Sequence, residues 1–535
     1  MADAIKAGEL TITPSYRYRD LDSYLLNKCY WEENLSELLK QYELEKFSDI
    51  TNVCRQIKER LNHSFDKVNT NIQTGKNRHV SFNKEEEIIL TTPKVEKPDP
   101  LRVSELLKPC RYTSILQVLY DINGATKFTD SFSHYSVKHA KSNPTIQTLF
   151  AGIIALGCNI GAAKVANTSK GINLNTLNHT LTWHFTLENA NAANDCIVNL
   201  IHHLPLPNLF IKEKNLLHTS SDGQKKSVSA DSLNANYSFK YYGHGQGVSI
   251  YTFIDERCAL LYSTVISSSE REAAYVIDGL LHNEVIKSDI HSTDTHGFSE
   301  IIFALYYLFG VSFAPRIARL KKQVLYTITP KFYLQNKKYR VKPGKQINTA
   351  LIKKYLPTIL RLVGSIKAKK TTASQVLKRL SSYAIENPIY KALREFGRMI
   401  KTLFISTYID DLELRQKIQK QLNKVELSNR FSNAIFFANN QEFTQSIKAD
   451  QEVAVACKRL MQNAIVLWNY LTLSEKIAGC KTEAEKSSLA SIIENGSILT
   501  WEHINMHGEY DFLLHAETND HHFDMKVIRQ LDIRQ

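Results

Sequence analysis

Acidic residues are missing from one long stretch of this chain. Between Ile301 and Ile385 there is no Asp or Glu, while the same 85 residues hold 18 Lys and Arg, from Arg316 to Arg379. Cysteine is scarce in a different sense: Cys29, Cys54, Cys110, Cys158, Cys196, Cys258, Cys457 and Cys480 are scattered with no close pair. That excludes a zinc pattern and argues against a disulfide framework. Long apolar runs are absent too. The longest, Leu149 to Ala163, contains Asn159 and several glycines, and it reads as a buried helix rather than a membrane span. The first ten residues carry Asp3, Lys6 and Glu9, a pattern that reads as no secretory leader. No internal repeat is visible. The expectation is a cytoplasmic protein without a membrane partner.

What is present points to a polyanion. The chain has 535 residues, enough for two to four domains, and a net charge of +13. The acid-free stretch exceeds that whole charge, leaving −5 for the rest. Tyr326, Phe332, Tyr333, Tyr339 and Tyr355 are interleaved with its cations. A solvated basic face is the plain alternative. A one-sign run this long repels itself unless something neutralises it, and nucleic-acid phosphates do so with release of counterions. The candidate DNA contacts are Arg316, Arg319, Lys321, Lys322, Lys367, Lys369, Lys370, Lys378 and Arg379.

The pattern is mixed α/β with large helical parts. Residues 1–103 read as mostly helical, with Trp31, Leu35, Leu38 and Leu39 at helical spacing, short strands at Val80 and Ile88, and a linker from Pro93 to Pro100. Residues 104–207 read as helical, ended by Pro205 and Pro207. Residues 208–319 turn to strands: one leading into Asp222, then Tyr237–Tyr242, Val248–Ile254 and Ala259–Ile266, then a helix capped by Ser269 and Glu272, a strand up to Asp294, and a helix from Phe298 to Phe309. That order is the order of an RNase H-like mixed sheet. Residues 320–405 are a basic insertion with helices and a hairpin, 406–440 a helix carrying Glu426, and 441–535 a helical end.

Three acids stand in short polar signatures: Asp222 in His218–Gln224, Asp294 in Ser292–Gly297 and Glu426 in Leu422–Asn429, spaced 72 and 132 residues apart. Breaking a phosphodiester and joining a 3′ hydroxyl elsewhere needs no protein nucleophile. It needs two Mg²⁺ or Mn²⁺ ions about 4 Å apart, and hard ions take few carboxylates. On this reading Asp222 ends the first strand and bridges both ions, Asp294 ends a neighbouring strand, and Glu426 comes from a helix. Each has a plain reading: a turn residue, a helix cap and a surface residue. Gly243 to Gly247 opens no helix, so a hairpin turn fits it better than a phosphate loop. His218 and His296 flank the acids and can orient a phosphate or simply hydrogen-bond. His521 and His522, beside Asp520 and Asp524, read as a polar tail.

Several runs together resemble the C-terminal half of the transposases of the Tn3 family of replicative transposons. They are Ala4–Leu10, Ser15–Arg19, Gly157–Gly161, Asn194–Leu204, Ser220–Gln224, Thr293–Gly297, Phe313–Arg316, Phe396–Arg398 and Trp501–Asn505. The resemblance implies a DDE recombinase with an RNase H-like core, with Asp222, Asp294 and Glu426 on its three acidic positions. It implies nicking of the element's 3′ ends and transfer into target DNA, with a homodimer on the DNA. Val425 stands where the family usually has Gly, and His244 and Gln246 lie in a turn that is often basic there. The family is roughly twice this length, and its recognition of terminal inverted repeats lies mostly in the half not present. The expectation is a truncated or separately encoded transposase. The alternatives are a non-catalytic DNA-binding or oligomerising remnant that modulates a full-length enzyme, and a non-specific metal-dependent nuclease.

Overall fold

The computed structural model describes residues 5, 10–13, 15, 18–94, 100–107, 113–136, 143–213, 216–268, 270, 272–282, 287–295, 297–330, 332, 338–381, 387–513 and 523–533. The chain divides into two compact units, each built from two stretches. The first unit is Met1–Val95 with Arg271–Lys420; the second is Glu96–Glu270 with Gln421–Gln535.

The first stretch contains α1 (Ile50–Gln73) and the antiparallel pair β1 (Val80–Phe82) and β2 (Ile88–Leu90). Asp49 starts α1 by accepting the N–H groups of Thr51 and Asn52 at 3.0 and 3.1 Å. Val53, Ile57, Leu61, Phe65 and Val68 fall three or four apart and are buried along one stripe. Phe65 is fully enclosed, so Phe65→Ala should cost about 3–5 kcal/mol. Trp31, Leu38 and Leu39 are buried but Leu35 is exposed, because the helix is interrupted at Asn34.

The second stretch holds the two-residue strands β3 (Thr113–Ser114) and β4 (Ser169–Lys170), and helices α2 (Ile146–Gly157) and α3 (Leu187–His203). The sheet follows: β5 (His218–Val228), β6 (Asn236–Tyr237), β7 (Gln246–Asp255) and β8 (Leu260–Ser267). β7 is central and antiparallel to β5, β6 and β8. Two sequence expectations change here. β5 does not end at Asp222; it runs on for six residues, with Asp222 opposite Thr252. The Tyr237–Tyr242 run is not a strand: after Tyr237 it makes one helical turn, Phe239–Tyr242, closed by Gly243 at φ +59°.

The third stretch returns to the first unit with α4 (Val276–His282), β9 (Ile290–Thr293), α5 (Glu300–Phe309) and β10 (Ser312–Phe313), β9 and β10 pairing in parallel. Ser269 lies outside the described residues. The expected hairpin in the basic stretch is instead a parallel pair, β11 (Tyr326–Thr327) with β12 (Lys345–Gln346). Helices α6 (Thr349–Lys367), α7 (Ala373–Ser381) and α8 (Pro388–Asp410) follow. Asn387 caps α8, and Pro388 sits at its first position, where no N–H is needed. A side chain at Gly397 would start 1.7 Å from the Glu300 carbonyl oxygen, so glycine lets α8 and α5 meet backbone to side.

The expected single helix over 406–440 is broken at Asp411. α9 runs Leu412–Ile435, and its part from Gln421 belongs to the second unit. α10 (Lys448–Ala478) is the second unit's central rod, buried for most of its 31 residues. Its polar side chains serve other backbones. Asn463 takes the Leu260 N–H at 2.9 Å and donates to the Leu260 oxygen at 3.1 Å. Arg459 donates to the Leu261 oxygen at 3.0 Å, and Glu452 accepts the Val265 N–H at 2.9 Å. β13 (Ile504–Asn505) and β14 (Tyr510–Asp511) pair in parallel with β3 and β4. Among the described residues no helix is long and apolar enough to cross a membrane, and the described cysteines are free thiols.

Candidate active site

In β5 alternate side chains share a face, so Ser220, Asp222, Gln224 and Lys226 line one side. All four are polar, and all four are met by α9 or the loop after it. Ser220 Oγ donates to the Gln421 oxygen at 3.2 Å. Asn429 Nδ2 donates to Asp222 Oδ2 at 2.9 Å. Gln224 donates to the Asn429 oxygen and to Asn433 Oδ1, both at 2.9 Å, and accepts from Ser432 Oγ at 3.1 Å. Lys226 donates to Asn433 Oδ1 at 2.6 Å and Gln441 Oε1 at 3.1 Å. The seam therefore brings Asp222 to the helix of Glu426. Glu426 is exposed and lies three residues before Asn429, on the same face one turn earlier. Behind it Phe431 stacks on Trp501, with centroids 4.8 Å apart and planes 8° from parallel. The Trp501–Asn505 run thus supports this helix.

Val425 is buried at 1 % exposure inside a continuous helix. It is not among the described residues with positive φ, so glycine is not required there. Burial lowers the Lys226 ammonium to about 8. His218 is buried, and its backbone N–H donates to Glu256 Oε2 at 3.3 Å. In the turn that was expected to be a hairpin, Gln246 donates to the Ala230 oxygen at 3.0 Å, and His244 lies edge-on to Phe239. Gly157–Gly161 is also structural. Asn159, at φ +62°, donates to the oxygens of Ala438 and Glu442 at 3.1 and 2.7 Å.

Asp294 belongs to the first unit. It follows β9 and accepts the Gly297 N–H on Oδ1 at 3.2 Å. It does not cap α5; Ser299 does, accepting the Ile302 N–H at 3.4 Å. A Cβ on Gly297 would lie 2.7 Å from Thr293 Cβ, so only glycine fits the turn as it stands. His296, like His521, His522 and Asp520, lies outside the described residues.

The basic residues of the first unit divide into two kinds. Arg319, Lys321, Lys322, Lys369 and Lys370 are exposed, and Arg316 is half-buried. Lys321 pairs with Glu87 at 3.0 Å. Lys367 donates to the Tyr42 oxygen at 2.7 Å, and Lys378 to the Tyr275 hydroxyl at 2.8 Å, so both are engaged within the fold. Arg379 corrects the expectation. It has no exposed surface, and its Nε donates to the Arg19 oxygen at 2.6 Å, so it braces the unit instead of facing DNA. Sequence could not separate these, because amphipathic α7 puts Arg379 on its buried face while its charge suggested solvent.

Carboxylates suit a hard divalent ion. Asp222, anchored by an amide, and Glu426, on the helix of that amide, fit part of such a donor set. Among the described residues no group of three His, Cys, Asp or Glu side chains is gathered to hold an ion.

A family model described as Tn3 transposase DDE domain matches residues 117–510. The chain is 32% identical over 517 residues to the transposase for transposon Tn1546 of Enterococcus faecium, covering 96% of this chain and 51% of that protein. It is 29% identical over 518 residues to the transposase for transposon Tn501 of Pseudomonas aeruginosa, covering 95% and 51%. It is 30% identical over 522 residues to the transposase for transposon Tn2501 of Escherichia coli, covering 95% and 50%. The chain spans about half the length of the curated relatives it matches.

Proposed function

Because the chain belongs to the Tn3 transposase DDE-domain family, we propose that it carries the chemistry of a replicative transposase: nicking DNA at the element's 3′ ends and joining the freed hydroxyl to target DNA. Asp222, Asp294 and Glu426 are the ligands of a divalent pair, Mg²⁺ or Mn²⁺, on this reading. When bound, such a pair polarises the phosphoryl oxygens and steadies the attacking and leaving oxygens. The observation that carries the proposal is the hydrogen bond from Asn429 to Asp222, because it places the strand acid against the helix of Glu426.

The residues of the chain do the rest. Asn429 holds one Asp222 oxygen and so sets the direction of the carboxylate. Gln224 and Lys226 lock the same seam. Arg316, Arg319, Lys321, Lys322, Lys369 and Lys370 take backbone phosphates, a contact that weakens as salt rises. The run β5, β7, β8, α4, β9, α5 is inferred to be an RNase H-like core, and the active form a homodimer on DNA in the cytoplasm.

A nicking and strand-transfer assay tests this, with Mg²⁺ or Mn²⁺, on inverted-repeat and random duplexes. Asp222→Ala should abolish transfer and leave duplex binding intact. Retained transfer in that variant removes Asp222 from the chemistry. Nicking of both duplexes alike would mark a non-specific nuclease. Binding without nicking by the unaltered chain would favour a modulating remnant.

A further inference from the structure

One cavity in the first unit is lined by cations and by no acid. It encloses about 430 Å³ and is walled by β2, the segment after β10 and the ends of α8 and α9. Arg316, Arg319, Lys321 and Arg415 line it, and no Asp or Glu does. Its apolar wall includes Leu90, Ile317, Leu320 and Ile418. That volume is in the range of small-ligand sites, ~300–1,000 Å³.

Arg415 is the most deeply held cation of this lining. It is 2 % exposed. Nη1 donates to the oxygens of Tyr408 and Ile409 at 2.7 and 2.9 Å, and Nε to Thr92 Oγ1 at 3.1 Å. Those three bonds fix the plane of the guanidinium. Nη2 is buried and has no hydrogen-bond partner among the described residues. A buried donor left unpaired is destabilising, and more so when it is charged. A ligand oxygen would supply the missing acceptor. Lys321 is already paired with Glu87, whereas Arg316 and Arg319 form no ion pair among the described residues. Arg316 is also fixed in the backbone, its N–H donating to the oxygen of Thr293, the residue before Asp294.

We propose that this cavity is a nucleotide pocket, in which Arg316, Arg319 and Arg415 take the phosphate and the wall of Ile317, Leu320 and Ile418 takes the base. Arginine forks match phosphate geometry, and charge-assisted bonds are the strong ones. The sheltered apolar wall explains why a duplex backbone phosphate alone would not fill the site. An unpaired nucleotide of a bound strand would. A free nucleotide offers the same chemistry. The strand source rests on the DNA reading above, and Arg316 would then set that nucleotide beside the strand end bearing Asp294.

The test uses the whole chain at low salt and calorimetric titration with dAMP, dTMP, deoxyadenosine and inorganic phosphate. One or both nucleotides should bind at least about tenfold tighter than deoxyadenosine or phosphate. Arg319→Asn, which keeps a residue tolerant of the φ of +52° there, should weaken nucleotide binding about tenfold or more. Arg415→Gln should do the same, with melting measured because Arg415 also holds the end of α8. Equal binding of phosphate and nucleotide, no binding of either nucleotide, or an unchanged affinity in Arg319→Asn overturns the proposal. Labelled duplexes, one fully paired and one with a single unpaired nucleotide, separate the sources. Tighter binding of the second, competed by dAMP, assigns the strand; nucleotide binding without that preference assigns the free nucleotide. Failure to bind either duplex, with nucleotide binding kept, sinks the DNA reading and not the pocket.

Discussion

Asp222 and Asp294 are held by opposite means. Asp222 sits inside an eleven-residue strand and is aimed by a side chain from another element, Asn429. Asp294 follows a four-residue strand and is aimed by a backbone N–H three residues on. The first arrangement depends on many hydrogen bonds along one seam. The second includes a tight turn that admits no Cβ at Gly297. A distant substitution on α9 can therefore disturb Asp222, and a local one at Gly297 can disturb Asp294.

The largest effect should come from the acids themselves. Asp222→Asn and Asp294→Asn should each lower strand transfer on the order of a thousandfold, since each removes a charge proposed to hold an ion. Equal loss in both would show that the two settings serve one chemistry; a loss in Asp222→Asn alone would divide them. Gly297→Ala comes next. Its Cβ must displace Thr293 at a cost of about 1–3 kcal/mol, read as a lower melting point, and transfer should fall more than tenfold. Asn429→Ala should cost about tenfold in transfer or in apparent metal affinity, as loss of an orienting partner does. Its melting point should move little, because Gln224 and Lys226 still close the seam. If Asn429→Ala matches the acids in severity, the amide does more than orient.

The smallest effect is one of pH. Burial lowers Lys226 to about 8 and, with Lys226 adding repulsion, Lys458 to about 7, from the ordinary 10.5. Between those values and 10.5 the unfolded chain binds more protons than the folded one. Stability should rise as pH climbs from about 7 to 10.5 and be lost as it falls back. Lys458 Nζ is buried with no hydrogen-bond partner among the described residues. Lys458→Met should raise the melting point at pH 7 and flatten that slope, as measured by thermal melts across the range.

Element order was readable where side-chain period was clear. The stripe of α1, the strongly apolar α5 and the β-branched runs of β7 and β8 needed nothing beyond local pattern. Asp222 was misplaced within its strand because Ser-Asp-Gly is ordinary turn chemistry. What overrides it is the face of polar partners on α9, about 200 residues away and invisible to a local window. The sequence resemblance identified the family, and the proposal of the three acids rests on it. It could not separate Arg379, enclosed by its own unit, from Arg319, nor reveal that Arg415, outside the acid-free stretch, lines the basic cavity. Asn429 stands only at the edge of a sequence signature, and its contact with Asp222 emerges once the strand is in place.

The outer strand of the second unit has β7 on one side and the amides and guanidinium of α10 along the other. Its margin is thus sealed by side chains that mimic a neighbouring strand. A second molecule cannot enlarge this sheet by adding to β8 without first stripping Asn463, Arg459 and Glu452 from it. The same seal guards this strand against edge-to-edge pairing with another chain.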